Sequence, residues 1–478
     1  MVNFSDRAAP TRDALLITAA KLLASAGVLA LGFRALSDDD YARVVIAQRF
    51  AAAPALDPSG TSWLPFPFWI YGAIMRVFGR DPSVARATAL GLGVAAALLV
   101  WIAARWLGAE RRGALFGALL AAIFPYSAWL GAATVPEAPT AAFVVLGAAS
   151  ASVTGPRRLL GALALCAACL SRYEAWPVAL VFAALCARDA IARREGLAGL
   201  AALLALVGPV AWIVHGVAHH GNALFFLARV AAYRRALGSA ESPLLTNLFS
   251  YPLALLRCEP ELVSVTAIAL VGARRSGLRL STRYRRLFAQ LGALLGFLVL
   301  GNVLDGAPTH HAERALLSIW LAAAIVAGDA LDRTASALEP RARPRLAALA
   351  LASVLLAACL FRPWTARRDA FIDRAAELEI GRVARELVGP ADRLAIYTTD
   401  FGFFAAMAGF SAPERALVLD AHDPRRPDDP SPAGLRARLN AERLPWLLAP
   451  RSEPNRTLMP GSIRAERDGF VLISSGAN

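Results

Sequence analysis

Lysine is almost missing from this chain. Of 50 basic residues in 478, Lys21 is the single lysine and arginine supplies the rest, a skew that looks like a GC-rich genome and not a functional choice. Charge as a whole is scarce: 18% of residues are Asp, Glu, Lys or Arg, where a soluble protein carries roughly a quarter, so an all-aqueous surface is excluded. The net charge of +14 would suit a nucleic-acid binder, but the arginines come as short clusters between apolar runs. That distribution orients a membrane protein and builds no groove, so no nucleic-acid partner is expected. Cysteine is sparse too. Cys166, Cys169, Cys186, Cys258 and Cys359 all lie in apolar segments, where a free thiol behaves as a small hydrophobe. The C-x-x-C spacing of Cys166 and Cys169 has no second pair or nearby histidine to make it a metal or redox site. Nothing at the N-terminus reads as a cleaved signal, because the first span is long and no small-x-small site follows it.

What the chain has in quantity is apolar length. Hydrophobic residues make up 57% of it, and runs of membrane length recur to about Phe361 and then stop. At ~20 residues per crossing they give about eleven spans. These fall near 14–35, 83–104, 113–130, 137–153, 159–171, 175–187, 197–216, 251–272, 287–304, 315–331 and 346–361, with the 159–187 stretch interrupted by Arg172 and Glu174. The expected fold is a polytopic α-helical membrane protein over 1–361 with a small soluble α/β domain over 362–478. Placing the N-terminus in the cytoplasm gives the inner segments 20 arginines in 64 residues, against 9 in 101 for the outer ones. That is a strong positive-inside signal, and an odd number of spans then puts the tail outside, in a bacterial inner membrane.

The orientation gathers the unusual polar residues on one side. Asp38, Asp39 and Asp40 follow the first span; Glu137, Arg172, Glu174, His219-His220, His310-His311 and Arg314 all face the same non-cytoplasmic side. Carboxylates at the mouth of a span belong at the water boundary or in a polar cavity. His219-His220 has no partner motif and reads as loop surface. The first outer loop, 37–82, is half apolar: Tyr41, Val44, Val45, Ala47 and Gln48 fit an amphipathic helix, and Trp63, Phe66, Phe68, Trp69 and Tyr71 form an aromatic group. Such a loop is expected to lie in the membrane interface. In the tail, apolar strands at 393–397, 416–419, 446–448 and 470–474 alternate with helical patterns at 367–388, 401–409 and 432–441, which predicts a partly parallel sheet. Asp400-Phe401-Gly402 is not a kinase motif, since no Gly-rich loop or paired lysine accompanies it; it is expected to cap the cavity or bind the acceptor.

In order and sidedness these features resemble the C-type glycosyltransferases, the polytopic enzymes that include protein O-mannosyltransferases and aminoarabinose transferases. The matching residues are Asp38 and Asp39 with Tyr41 and Ala47, the run Trp63-Leu64-Pro65-Phe66-Pro67, Phe124-Pro125 with Pro136-Glu137, Ser171-Arg172-Tyr173-Glu174, and His310-His311-Ala312-Glu313-Arg314-Ala315-Leu316-Leu317. Ala175 stands where the family has Gly after the Arg-x-Glu, and Ala315 where it has an aromatic. The resemblance implies a sugar moved from a polyprenyl-phosphate donor in the membrane lipid to an envelope acceptor. A carboxylate would act as general base, Asp38 or Asp39 before Asp40, whose side chain turns about 100° from that of Asp39. Repulsion among adjacent carboxylates would raise at least one pKa. Arg172 and Arg314, helped by His310 or His311, would hold the phosphate, since arginine offers two donors in a fork. Tyr41, Glu137, Glu174 and Trp63 would contact substrate. No cofactor is required, and the acidic cluster leaves a divalent metal open. Taken as ordinary structure, Arg172 pairs with Glu174 and Glu137 sits where a helix dipole favours a carboxylate. The rival functions are a transporter or flippase of lipid-linked sugars and a scaffold; no internal repeat of the transporter kind is visible.

Overall fold

The computed structural model describes residues 4–236, 243–304, 312–342, 371–397, 400–419, 432–452 and 458–475, with a few positions between 344 and 354. Helices dominate to residue 337. In chain order they are α1 (Phe4–Ala30), α2 (Asp38–Ala52), α3 (Phe66–Phe78), α4 (Pro82–Trp106), α5 (Arg111–Ile123), α6 (Pro125–Leu130), α7 (Glu137–Ser150) and α8 (Pro156–Cys169). There follow α9 (Ala175–Arg193), α10 (Gly196–His220), α11 (Phe225–Ala236), α12 (Leu244–Arg257), α13 (Pro260–Arg275), α14 (Arg283–Val303) and α15 (Leu317–Ala337). Among the described residues six helices are long and apolar enough to cross a membrane: Pro10–Ala30, Pro82–Trp106, Ala175–Arg193, Gly196–His220, Arg283–Val303 and Glu313–Ala337.

The difference from about eleven spans has local causes. Pro125 forces Phe124 into an extended conformation, so the stretch 113–130 becomes α5 and the six-residue α6. The expected span 251–272 is divided at Cys258 and Glu259, where Pro260 starts α13. The stretch 137–153 holds a 14-residue helix, too short to cross alone. The stretch 159–187 is two helices joined by a turn at 170–174. The span expected at 346–361 lies mostly outside the described residues.

Small residues let these helices approach closely. A Cβ added to Gly117 of α5 would lie 2.9 Å from the Ile325 Cα of α15, and one on Gly328 would meet the Gly117 backbone at 2.3 Å. Backbone-to-backbone packing of this kind is how helices associate in lipid, where no hydrophobic force drives them together. The lone lysine acts as a strut: Lys21, buried in α1, donates to Ser127 Oγ at 3.0 Å and ties α1 to α6. At the end of the bundle away from α2, Asp189 accepts from Arg158 (3.1 Å) and doubly from Arg286 (2.7 and 2.9 Å), joining α8, α9 and α14.

The tail adds α16 (Ala375–Leu387), α17 (Phe403–Phe410) and α18 (Pro432–Ala441), with strands β1 (Leu394–Ile396), β2 (Ala416–Val418), β3 (Trp446–Pro450), β4 (Ser462–Arg467) and β5 (Phe470–Ser474). The sheet order is β2-β1-β3-β5-β4; β1 runs parallel to β2 and β3, while β5 is antiparallel to β3 and β4. The expected partly parallel sheet is present. Strand β4 escaped the sequence pattern because its side chains are mostly exposed and half of them are charged; it pairs through a tight turn at Asp468-Gly469, both at positive φ. Helix α2 departs from expectation in its surroundings. Tyr41, Val44, Val45 and Ala47 pack in one core with Ile380 and Ala384 of α16 and Phe403 and Ala406 of α17. Gln48 Nε2 donates to the Arg80 and Ala408 carbonyls, both at 2.8 Å. The apolar stripe of the first outer loop therefore faces the α/β domain and not lipid; an amphipathic pattern is the same for either partner.

Candidate functional site

The site is organised by the start of α2. Ser37 is extended, and the Asp40 carboxylate accepts from the Leu36 and Ser37 amides (3.2 and 3.3 Å), reaching back to the N-cap as a capping box does. Successive residues of a helix point about 100° apart, so the three carboxylates take three environments. Asp40 is 1% exposed and also accepts from the Thr134 amide at 3.1 Å. Burial raises its pKa, opposed by the charges of Arg314 and Arg86 and by the amides of Thr134 and Ser37. Desolvation is thus the main cause of the upward shift, and three backbone amides anchor the carboxylate. Asp38 has both oxygens taken by Arg374, at 2.9 and 3.1 Å. Asp39 is the accessible one, with half its side chain exposed and its Oδ2 3.9 Å from Arg314 Nη1.

Beyond Asp39 stands a group of arginines and carboxylates. Arg314 comes from the 3-10 turn Ala312–Leu316 ahead of α15, donates to Ser37 Oγ at 2.8 Å, and lies 3.9 Å from Glu137 Oε1. Arg172 donates to the same Glu137 oxygen at 2.5 Å and pairs with Glu174. Glu137, buried at the start of α7, thus bridges the two guanidinium groups that the sequence singled out. A small pocket opens between them, walled by Glu137, Thr140, Arg172, Glu174, Arg314 and Ser318. Its polar atoms are unfinished: Glu137 Oε2 and Arg314 Nε are buried with no hydrogen-bond partner. Ala315, where an aromatic was awaited, is buried in the helical core.

Sequence reasoning missed Arg43. It lies one turn after Asp39 on the same face of α2, with its guanidinium 4.4 Å over the Trp63 ring, and its buried Nε also lacks a partner. The i, i+4 spacing from Asp39 was the available signal. Trp63 thereby joins the site through Arg43. Tyr41 does not: it faces a separate cavity of about 710 Å³ with Arg34, Asp40, Arg86 and Arg382. Burial pushes its hydroxyl up to about 12. His310 and His311 lie outside the described residues.

No family model matches the chain, and no curated protein does. Solved structures do. Over 97% of both chains it superposes on ArnT from Cupriavidus metallidurans bound to undecaprenyl phosphate, with a TM-score of 0.62 at 14% identity. The apo state of that protein gives a TM-score of 0.56 at 15% identity, over 97% of this chain and 96% of the other. The chain therefore shares the fold of ArnT. Of the three acidic residues, Asp38 is engaged by Arg374 and Asp40 by backbone amides. Among the described residues one group offers converging metal ligands, Asp57, His215 and His220, whose ligand atoms lie within 4.8 Å of one another. His220 is also not loop surface: it closes α10 and stacks on Phe225 at 4.0 Å.

Proposed function

We propose that this chain is an integral-membrane glycosyltransferase that moves a sugar from a polyprenyl-phosphate donor to a hydroxyl of an envelope acceptor. The membrane part would be residues 1–361 and the soluble part 362–478, with the N-terminus cytoplasmic and the site and α/β domain on the far side of a bacterial inner membrane. The observation that carries the reading is that accessible Asp39 faces Arg314, which shares Glu137 with Arg172 around a pocket where the buried Arg314 Nε has no partner. In the reaction the acceptor oxygen attacks the anomeric carbon and its proton passes to Asp39. The bond from that carbon to the phosphate oxygen breaks, and the polyprenyl phosphate leaves with the electron pair. Arg314 and Arg172 hold the leaving phosphate in the fork geometry that guanidinium provides, with Arg43 beside them. Asp39 is favoured over Asp38 because both Asp38 oxygens already accept from Arg374. Glu174 and Trp63 line the approach through their arginine partners.

The test is transfer of labelled sugar from polyprenyl-phosphate donors to envelope fractions by purified protein. Labelled acceptor that depends on Asp39 is expected. Donor translocated between leaflets with no sugar transferred would replace the enzyme by a flippase.

A further inference from the structure

Residues 371–374 carry the chain into the soluble domain, and they do so across the mouth of the site. The Phe371 ring sits edge-on against Phe33 and Trp129, both at 5.1 Å between centroids. The Ile372 amide donates to the Ala35 carbonyl at 3.1 Å, a single antiparallel bridge three residues before Asp38. Asp373 accepts from the Ala375 amide at 3.0 Å and opens α16. Arg374 then grips Asp38 with Nε and Nη2, while its Nη1 donates to Glu377 at 3.0 Å and to Asp400 at 2.9 Å. Asp400 is itself fixed by the Gly402 amide at 2.8 Å. A side chain on Gly402 would collide with this cage, its Cβ falling 2.6 Å from Glu377 Oε1. Asp400-Phe401-Gly402 thus completes a three-carboxylate setting for one guanidinium.

We propose that Arg374 is a positioning residue for the transfer reaction, clamping the first turn of α2 so that Asp39 is presented to Arg314 and the acceptor. This rests on the glycosyltransferase reading above. The physical need is plain: the first turn of a helix has backbone groups without intrahelical partners and frays unless it is held. Arg374 neutralises Asp38 and fixes its direction, which sets the direction of its neighbour. A displacement of about 1 Å at a reacting group costs on the order of 10²-fold in rate.

The test measures sugar transfer per molecule of purified protein that binds polyprenyl phosphate, so misfolded protein does not count. Arg374→Gln should lower kcat roughly 10- to 100-fold with donor KM within about twofold. Arg374→Lys should recover part of the loss, since it keeps the charge but not the fork. A wild-type kcat in Arg374→Gln, with Asp39→Asn inactive, overturns the positioning role and leaves the enzyme reading intact. Full transfer by Asp39→Asn removes the enzyme reading, and this role with it. A measurement independent of activity uses Ala35→Cys with Ile372→Cys. Antiparallel partners lie within disulfide reach, so mild oxidation should consume two thiols. Failure to cross-link in folded protein would show that the segment does not seat there, and would overturn the proposal.

Discussion

Two clusters of buried charge occupy opposite ends of α7, and they are built to different rules. Glu137 opens the helix at the candidate site, while the Ala151 carbonyl that follows it accepts from Arg286 in the far cluster. In the far cluster every Arg158 nitrogen is used: Nε donates to the Val153 carbonyl, Nη1 to Glu195 and Nη2 to Asp189. The groups left over there are acceptors, Glu195 Oε1 and Gln290 Oε1. At the site the leftover groups include two arginine donors, Arg43 Nε and Arg314 Nε. A saturated buried ion pair holds helices together, whereas unspent guanidinium donors beside an accessible carboxylate are what an anionic substrate requires. Charge count alone would not separate the two; hydrogen-bond accounting does.

The sharpest way to break this contrast is Asp39→Asn, which removes a charge at nearly constant volume. Loss of a positioned general base lowers turnover by roughly 10²–10⁴-fold, with donor affinity kept. Asp38→Asn should cost less, through the loss of its grip on Arg374. If Asp38→Asn abolished transfer and Asp39→Asn did not, the assignment of the base would be exchanged.

Next in size are the arginines at each end. Arg314→Lys should weaken donor binding by roughly 10-fold, because a lysine cannot reproduce the fork. Asp189→Asn, in the far cluster, should instead lower thermal stability: breaking a buried ion pair costs about 3–5 kcal/mol, while transfer per folded molecule stays at the wild-type value. Unchanged donor affinity in Arg314→Lys would make Arg314 a structural charge like Arg158, and the contrast would fail.

How much of this was legible in the sequence follows from where each signal sits. Asp38, Asp39, Glu137, Arg172 and Arg314 stood out because charge is rare in apolar surroundings and because the positive-inside bias put them on one side. The structure brings together residues far apart in the sequence, such as Asp39 and Arg314. Arg43 did not stand out, since an arginine on the polar face of an amphipathic helix is ordinary. Arg374 could not be found, because nothing local in a charged tail says that it reaches Asp38. The break before Pro260 was masked by apolar residues on both sides, and the docking of α2 on the α/β domain was masked by a pattern equally suited to lipid. Periodicity reads which face is apolar; it does not read what covers that face.

The smallest expected effect concerns Asp40, the carboxylate that resembles its neighbours in sequence and the far cluster in role. Because burial raises its folded-state pKa above the ordinary carboxyl value, the folded protein holds this proton more tightly than the unfolded chain does. Stability therefore falls as pH rises from the ordinary carboxyl range through the raised value, and this contribution is flat above it. Asp40→Asn removes the titration. It also sets an amide NH₂ against one of the backbone donors from Leu36, Ser37 or Thr134, at a cost of about 1–3 kcal/mol that does not vary with pH. Thermal melts of the two proteins across that window should converge as pH rises, the substitution being most harmful at low pH, where Asp40 is protonated in both folded and unfolded chains. Parallel melts would mean that Asp40 keeps its ordinary ionisation when buried, and a large loss of kcat per folded molecule would return it to the site.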